Sequence, residues 1–134
     1  MKMEQIIDVM LEKDKVWAVV GATQNQEKFG YKLYMKLKNT GYKVFPVNPV
    51  YDTVDGDICY DTLEDLPEKV DCVDVVVGPS RSIHVLEKTK ALDIPYIWFQ
   101  PGTFNDDILT RAEEMKIPHV YLDCVLAVLN RRGE

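Results

Sequence analysis

Val16-Trp17-Ala18-Val19-Val20-Gly21-Ala22-Thr23 is the stretch that decides how this chain folds. Its first five residues are apolar without interruption, so neither face of a strand built from them is polar. Such a strand needs cover on both sides, as at the centre of a parallel sheet flanked by helices. Gly21 ends the run, and a polar loop leads into residues 28–39, where Leu33, Tyr34 and Leu37 share one side of a helix. Lys36 and Lys38 fall in its last turn and Gly41 supplies the stop. Upstream, Ile6, Ile7, Met10 and Leu11 give residues 4–13 the spacing of an amphipathic helix.

The same unit recurs downstream. Lys43-Val44-Phe45-Pro46-Val47 reads as a second strand, closed by Asn48-Pro49. Residues 51–57 read as an acidic surface loop, residues 57–60 as a short edge strand and residues 63–67 as one helical turn. Residues 72–77 form another strand, which Gly78-Pro79-Ser80 turns into a helix ending near Leu92. Pro95 stops that helix, and residues 96–99 follow as a strand. Thr103 and Asp106 resemble a capping box, opening a helix that buries Ile108, Leu109, Ala112 and Met115. A last strand, residues 119–122, precedes a helical segment, residues 124–132. Regular alternation of strand and helix predicts an α/β fold: a single doubly wound parallel sheet, Rossmann-like, with helices on both faces. Residues 1–134 are read as one domain, with an N-terminal helix in 1–14, the body in 15–128 and a tail in 129–134.

A chain of 134 residues is one domain's worth, and 46% apolar with 28% charged residues is the globular range. Sixteen basic against 22 acidic residues leave a net charge of −6, with no cluster of Lys and Arg, so nucleic acid is not an expected partner. The apolar run at residues 16–20 is far too short to span a bilayer, and no membrane partner is expected. Lys2, Glu4, Asp8, Glu12 and Lys13 break any signal-peptide pattern. Cys59, Cys72 and Cys124 form no CxxC, which argues against zinc and against a disulfide framework. Asp52, Asp55 and Asp57 lack the later Glu of a calcium loop, so no metal is expected. A small-molecule ligand and a reduced, cytoplasmic setting are the expectations that remain.

In a doubly wound sheet the ligand crevice lies beyond the carboxyl ends of the strands. Gly21 and Ala22 let backbone approach a ligand, Thr23 offers a hydroxyl, and the following helix offers free N–H groups at its positive end. Lys28 and Lys32, one turn apart, add charge. This chemistry suits a diphosphate, and a branched side chain at Gly21 is expected to fill the diphosphate's space. The fingerprint G-x-G-x-x-G is absent, since Thr23 and Gln26 stand where it needs Gly, and no P-loop GK[ST] occurs. On loop chemistry alone, phosphate binding and an ordinary βα turn fit equally. Val47-Asn48-Pro49 offers neither a carboxylate for a ribose nor an Arg for a 2′-phosphate, which weighs against NAD(P). Asn48 fits either a ribose or base contact or a turn before Pro49. On the first view, Asn48→Asp should gain affinity for NAD. No catalytic residue is nominated: His84 and His119 have no Ser, Cys or second His beside them, and Asp106-Asp107 and Glu113-Glu114 read as helix faces.

The ordered set Val20-Gly21-Ala22-Thr23, Gly30, Phe45-Pro46-Val47-Asn48-Pro49, Cys59-Tyr60 and Leu66-Pro67-Glu68-Lys69-Val70-Asp71 resembles the CoA-binding domain family. It is similar to small stand-alone members and to the first domain of succinyl-CoA synthetase α-chains and ADP-forming acyl-CoA synthetases. Trp98-x-Gln100-x-Gly102 resembles the stand-alone branch, and the likeness covers residues 15–128. It implies coenzyme A as ligand, its diphosphate near Gly21, Ala22, Thr23, Lys28, Phe29 and Gly30 and its adenosine toward Val47, Asn48 and Pro49. The loop Gly78, Pro79, Ser80, Arg81 would face the same crevice, with Arg81 either meeting a phosphate or simply solvated.

The function so implied is a non-catalytic CoA- or acyl-CoA-binding carrier, sensor or regulatory module. The alternatives are a detached subunit of an NDP-forming acyl-CoA synthetase with an ATP-grasp partner chain, a small NAD(P)-binding oxidoreductase, and a protein–protein module that has lost its ligand. A homo-oligomer stays open. On 134 residues, neither the histidine-bearing second domain nor the ATP-grasp module of the larger enzymes is expected. Leu122-Asp123-Cys124 lacks the family's usual spacer before its Cys. Two roles therefore stay open for Cys124: a thiol facing the cofactor's thiol, or a buried and inert one.

Overall fold

The computed structural model describes residues 1–134. Along the chain run α1 (Met3–Met10), β1 (Val16–Val20), α2 (Phe29–Thr40), β2 (Lys43–Val47), β3 (Thr53–Val54) and β4 (Asp57–Ile58). They are followed by β5 (Cys72–Val75), α3 (Pro79–Ala91), β6 (Tyr96–Phe99), α4 (Asp106–Glu114), β7 (His119–Val120) and α5 (Val125–Arg131). Five strands pair in the order β2-β1-β5-β6-β7, all parallel. The chain passes from β1 outward to β2, then returns across β1 to β5. The sheet therefore has its topological switch between β1 and β5, the place where open α/β sheets hold ligands.

The apolar run sits at the centre, as its composition requires. Ala18 pairs with Phe45 on one side and Val73 on the other. Trp17, Ala18 and Val19 are fully buried, alternating between two cores. Trp17, Val19, Cys72, Trp98 and Val120 pack under α1, α2 and α5 against Met10, Leu33, Leu37 and Val125. Ala18, Val73, Val75, Ile97 and Phe99 pack against Leu86 of α3 and Ile108 and Ala112 of α4. Helices thus cover both faces, and the fold is the doubly wound, Rossmann-like sheet expected of the sequence.

Several local expectations are corrected. The acidic segment is no simple loop: β3 and β4 form an antiparallel hairpin whose Val54 is fully buried. Residues 57–60 are not one edge strand, because β4 ends at Ile58 and Tyr60 alone bridges Val47. The hairpin is held by α2, where Tyr34 donates to Asp57 Oδ2 at 2.5 Å and the Lys38 ammonium reaches Asp55 and Asp57 at 2.9 and 2.7 Å. Thr103 does not cap α4; its hydroxyl donates to the Gln100 carbonyl, and Asn105 accepts from the Ile108 N–H instead. The turn at residues 63–67 is a 3₁₀ turn over Leu63–Asp65. The strands at 72–77 and 119–122 stop at Val75 and Val120, and Leu122 turns out into solvent with φ +72°. Leu109 and Met115 are only half-buried, whereas Leu129, assigned above to a tail, lies in the core. No helix is long and apolar enough to cross a membrane.

Candidate functional site

Two glycines shape the switch point. Gly21, at φ +106°, leaves β1 so closely under the loop after β5 that a Cβ would lie 2.7 Å from the Val76 carbonyl oxygen. Gly30, in the first turn of α2, packs on Gly21 itself. A side chain at Gly21 would therefore strike protein backbone and not, as the sequence suggested, the space of a bound diphosphate. Three backbone segments meet here without side chains between them, and the cleft opens above them.

This cleft holds about 600 Å³. Of the residues singled out by sequence, Gly21, Thr23, Lys28, Phe29 and Gly30 line it from the first loop, and Asn48 from the second. Gly78, Ser80 and Arg81 line it from the third. Ala22 and Val47 turn into the core instead, Pro49 is an exposed turn residue, and Pro79 is the first residue of α3, off the cleft wall. Lys32 also stays outside, its ammonium 5.7 Å from the centre of the Phe29 ring. The walls gain Glu27, Val50, Tyr51, Val76 and Val77, which sequence reading missed. Tyr51, an aromatic directly after the Asn48-Pro49 turn, was the one with a visible signal.

Several groups around the cleft carry positive charge or an unused N–H donor. Neither Lys28, the N-cap of α2, nor Gly78, the N-cap of α3, offers a side-chain cap. The amides of Phe29, Gly30 and Ser80 consequently donate to no carbonyl. Each helix start adds about half a unit of positive charge. Lys28 and Arg81 supply two full charges and form no ion pair, with Glu27 as the opposing carboxylate.

The neutral polar groups are mostly engaged in holding the loops. The Thr23 hydroxyl donates to Tyr51 Oη at 2.8 Å and accepts the Asn25 N–H at 3.1 Å. Asn48 donates from Nδ2 to the Ala22 carbonyl at 2.8 Å and accepts the Val50 N–H at 3.0 Å. Asn48 is thus a brace between the first and second loops.

A second pocket of about 320 Å³ continues from the cleft, sharing Phe29, Val76, Val77 and Gly78 as common wall. Leu33, Gln100, Pro101 and Cys124 close its far side. Gln100 is only 3% exposed, and its Nε2 donates to Asp74 Oδ1 at 2.5 Å. Asp74 lies in the sheet between Val19 and Trp98. Burial pushes its carboxyl from 3.8 up to about 7, and the Gln100 hydrogen bond offsets part of that rise. Trp98 is core and not pocket wall: its indole N–H donates to the Asp123 carbonyl at 2.9 Å, anchoring the turn that carries Cys124. Cys124 is half-exposed, while burial pushes the Cys59 and Cys72 thiols up. His84 and His119 line neither cavity, and His119 bonds the Ile117 carbonyl through Nδ1.

Sheet order and cleft define the class of protein: a Rossmann-like α/β domain with an open cleft at the switch point of a parallel sheet. Within that class, the sequence profile of the CoA binding domain matches residues 15–130, and the chain belongs to that family. It is 26% identical over 108 residues to the uncharacterized protein YneT of Bacillus subtilis, covering 81% of this chain and 80% of that one. It is also 35% identical over 71 residues to the ADP-forming acetate–CoA ligase of Methanocaldococcus jannaschii, covering 53% of this chain but 10% of the enzyme. Among solved structures, a hypothetical protein from Pyrococcus horikoshii superposes with a TM-score of 0.89 at 29% identity, covering 100% of this chain and 94% of that one.

Proposed function

We propose that this protein binds coenzyme A, free or acylated, and serves as a non-catalytic carrier, sensor or regulatory module. The observation that carries this reading is the convergence of two uncapped helix starts and two unpaired cations on one cleft, in a chain of the CoA binding domain family. The diphosphate would sit against the free amides of Phe29, Gly30 and Ser80 between Lys28 and Arg81, with the adenosine end toward Asn48, Val50 and Tyr51. Ala22, Val47, Pro49 and Pro79 would support these walls from behind. No His or Cys lines the cleft, so the reading assigns it binding and no reaction. Three free cysteines fit a reducing, cytoplasmic setting.

Likeness to the acetate–CoA ligase supports a second reading, a detached synthetase subunit that works with an ATP-grasp chain. Recovery of such a chain in fixed ratio by affinity purification would favour it. The first reading is tested by isothermal titration with CoA, dephospho-CoA, NAD and NADP. CoA should bind and the two nicotinamide dinucleotides should not, since β2 ends in Val47-Asn48-Pro49 without a carboxylate. No heat with CoA at about a millimolar would overturn it.

A further inference from the structure

Two buried acceptors, Asp74 Oδ2 and Gln100 Oε1, meet no donor in the protein, although their side chains already touch: Gln100 Nε2 donates to Asp74 Oδ1 at 2.5 Å. Buried acceptors without donors are costly and rare in native folds. An ionised carboxylate only accepts and has nothing to give Oε1, whereas a carboxylic acid has one O–H to donate. A planar acid and a planar primary amide are complementary through two bonds. The amide N–H meets the C=O of the acid, and the O–H of the acid meets the C=O of the amide. A single proton on Oδ2 thus supplies what both orphaned oxygens lack.

No charge reaches this pair from the elements packed on it. Strand alternation puts Asp74 on the face of Cys72 and Gln100 on that of Trp98, the side covered by α1, α2 and α5. Val19 and Trp98 flank Asp74 in the sheet. The titratable groups on this side are the Cys72 thiol, which burial pushes up, and Cys124, which shares the second pocket with Gln100. The covering helices keep their charges outside: Glu4, Asp8 and Lys32 are exposed, Lys36 reaches Glu134, Lys38 reaches Asp55 and Asp57, and Arg131 pairs with Asp123.

We propose that Asp74 holds a proton on Oδ2 in the folded protein and closes a two-bonded acid–amide ring with Gln100, and that this ring is a pH-operated latch on the wall of the second pocket. Gln100 opens that wall, which continues through Pro101, Gly102 and Thr103. Its carbonyl accepts both the N–H and the O–H of Thr103, at 3.1 and 2.7 Å, and its own N–H donates to the Val75 carbonyl at 3.2 Å. Loss of the proton to solvent sets a buried charge against an acceptor. Gln100 then swings away and loosens the turn that hangs on it.

The test needs no ligand, so its outcome is separate from that of the cleft. In the full chain, the carboxyl carbon resonance of Asp74, assigned through its own backbone amide, should still be at its protonated position at about pH 6, where exposed carboxyls have ionised. An ionised Asp74 at that pH would overturn the ring. Asp74→Asn supplies an N–H where the acid supplies its O–H, and so keeps the ring closed at every pH. Amide hydrogen exchange at Gln100 and Thr103 should match in parent and Asp74→Asn at about pH 5 and be about tenfold faster in the parent at about pH 8.5. The Ala18 amide in β1 reports global opening, and its parent-to-variant ratio should rise less. If the wall amides show no such rise, or one no larger than that of Ala18, the latch is overturned.

Discussion

The Cα of Gly30 lies so close to the carbonyl oxygen of Gly21 that a Cβ on Gly30 would sit 2.1 Å from it. Helix propensity alone favours Ala over Gly inside α2 by about 0.5–1 kcal/mol. The contact decides otherwise, because the opposing atom is backbone at the end of a central strand and has nowhere to move. Gly30→Ala should therefore be destabilising by about 1–3 kcal/mol, measured by urea unfolding. Gly41→Ala is the contrast: φ is +105° but nothing lies within 4 Å, so only the left-handed backbone counts, about 1 kcal/mol. A higher unfolding midpoint for Gly30→Ala would contradict the packing of α2 on the first loop.

Lys28 and Arg81 face the cleft from different helices and touch no carboxylate, so removing either leaves the fold intact. Lys28→Met and Arg81→Met should each weaken CoA about three- to tenfold at low salt, the share of one partly exposed ion contact. Each should also flatten the dependence of affinity on salt. Titration calorimetry across a range of NaCl concentrations checks both. Unchanged affinity in both variants would move the phosphates out of this cleft.

The Asn48 brace reverses an expectation drawn from sequence. Asp at this position would present a carboxylate oxygen to the Ala22 carbonyl, which now accepts from Nδ2 at 2.8 Å. Asn48→Asp should thus cost about 1–3 kcal/mol in stability and gain no affinity for NAD. Unfolding curves and an NAD titration on the same variant test the two halves separately.

Asp74 makes stability fall as pH rises. Its folded pKa stands near 7 while the unfolded chain keeps the ordinary 3.8, so between those values the folded state holds the extra proton. The stabilisation is complete below the lower value and lost through the upper, with a span on the order of 4 kcal/mol as a ceiling. Asp57 acts oppositely: burial raises its pKa, but hydrogen bonds from Lys38 and Tyr34 outweigh that and hold it low. Its contribution disappears at acid pH, below the Asp74 window. The difference between parent and Asp74→Asn isolates Asp74. That difference should grow in favour of the variant from pH 4.5 to 8, by denaturant unfolding, and a flat difference would contradict the burial of an ionisable carboxyl.

What the sequence disclosed follows from which interactions are local. Trp17, Ala18 and Val19 announced a strand buried on both faces because apolarity on consecutive residues has no other comfortable home. The β3–β4 hairpin was hidden, since its one buried residue, Val54, stands among acids whose partners Tyr34 and Lys38 lie on a distant helix. Thr103 and Asn105 both fit a cap by type, and only backbone direction chose Asn105. In the cleft, neighbours in sequence were assigned together although Ala22 and Val47 turn inward beside Gly21 and Asn48, which do not. Asp74 lies in β5 and Gln100, 26 positions on, directly follows β6, and no spacing rule connects them.

The three thiols should separate cleanly by reactivity. Cys72 is fully buried and Cys59 nearly so, and burial pushes both thiols up, away from the reactive thiolate. Cys124 alone lines an open cavity. Native protein treated with iodoacetamide should be alkylated at Cys124 well before the other two, by peptide mass spectrometry, with all three modified after unfolding. Desulfo-CoA, which has no thiol of its own to consume reagent, should slow Cys124 alkylation about tenfold at ten times its Kd if its arm fills the pocket. Adenosine 3′,5′-bisphosphate, which lacks the arm, should leave the rate unchanged. Equal protection by both ligands would mean that Cys124 is shielded from the cleft side, and that the pocket beside Gln100 stays empty when the cofactor binds.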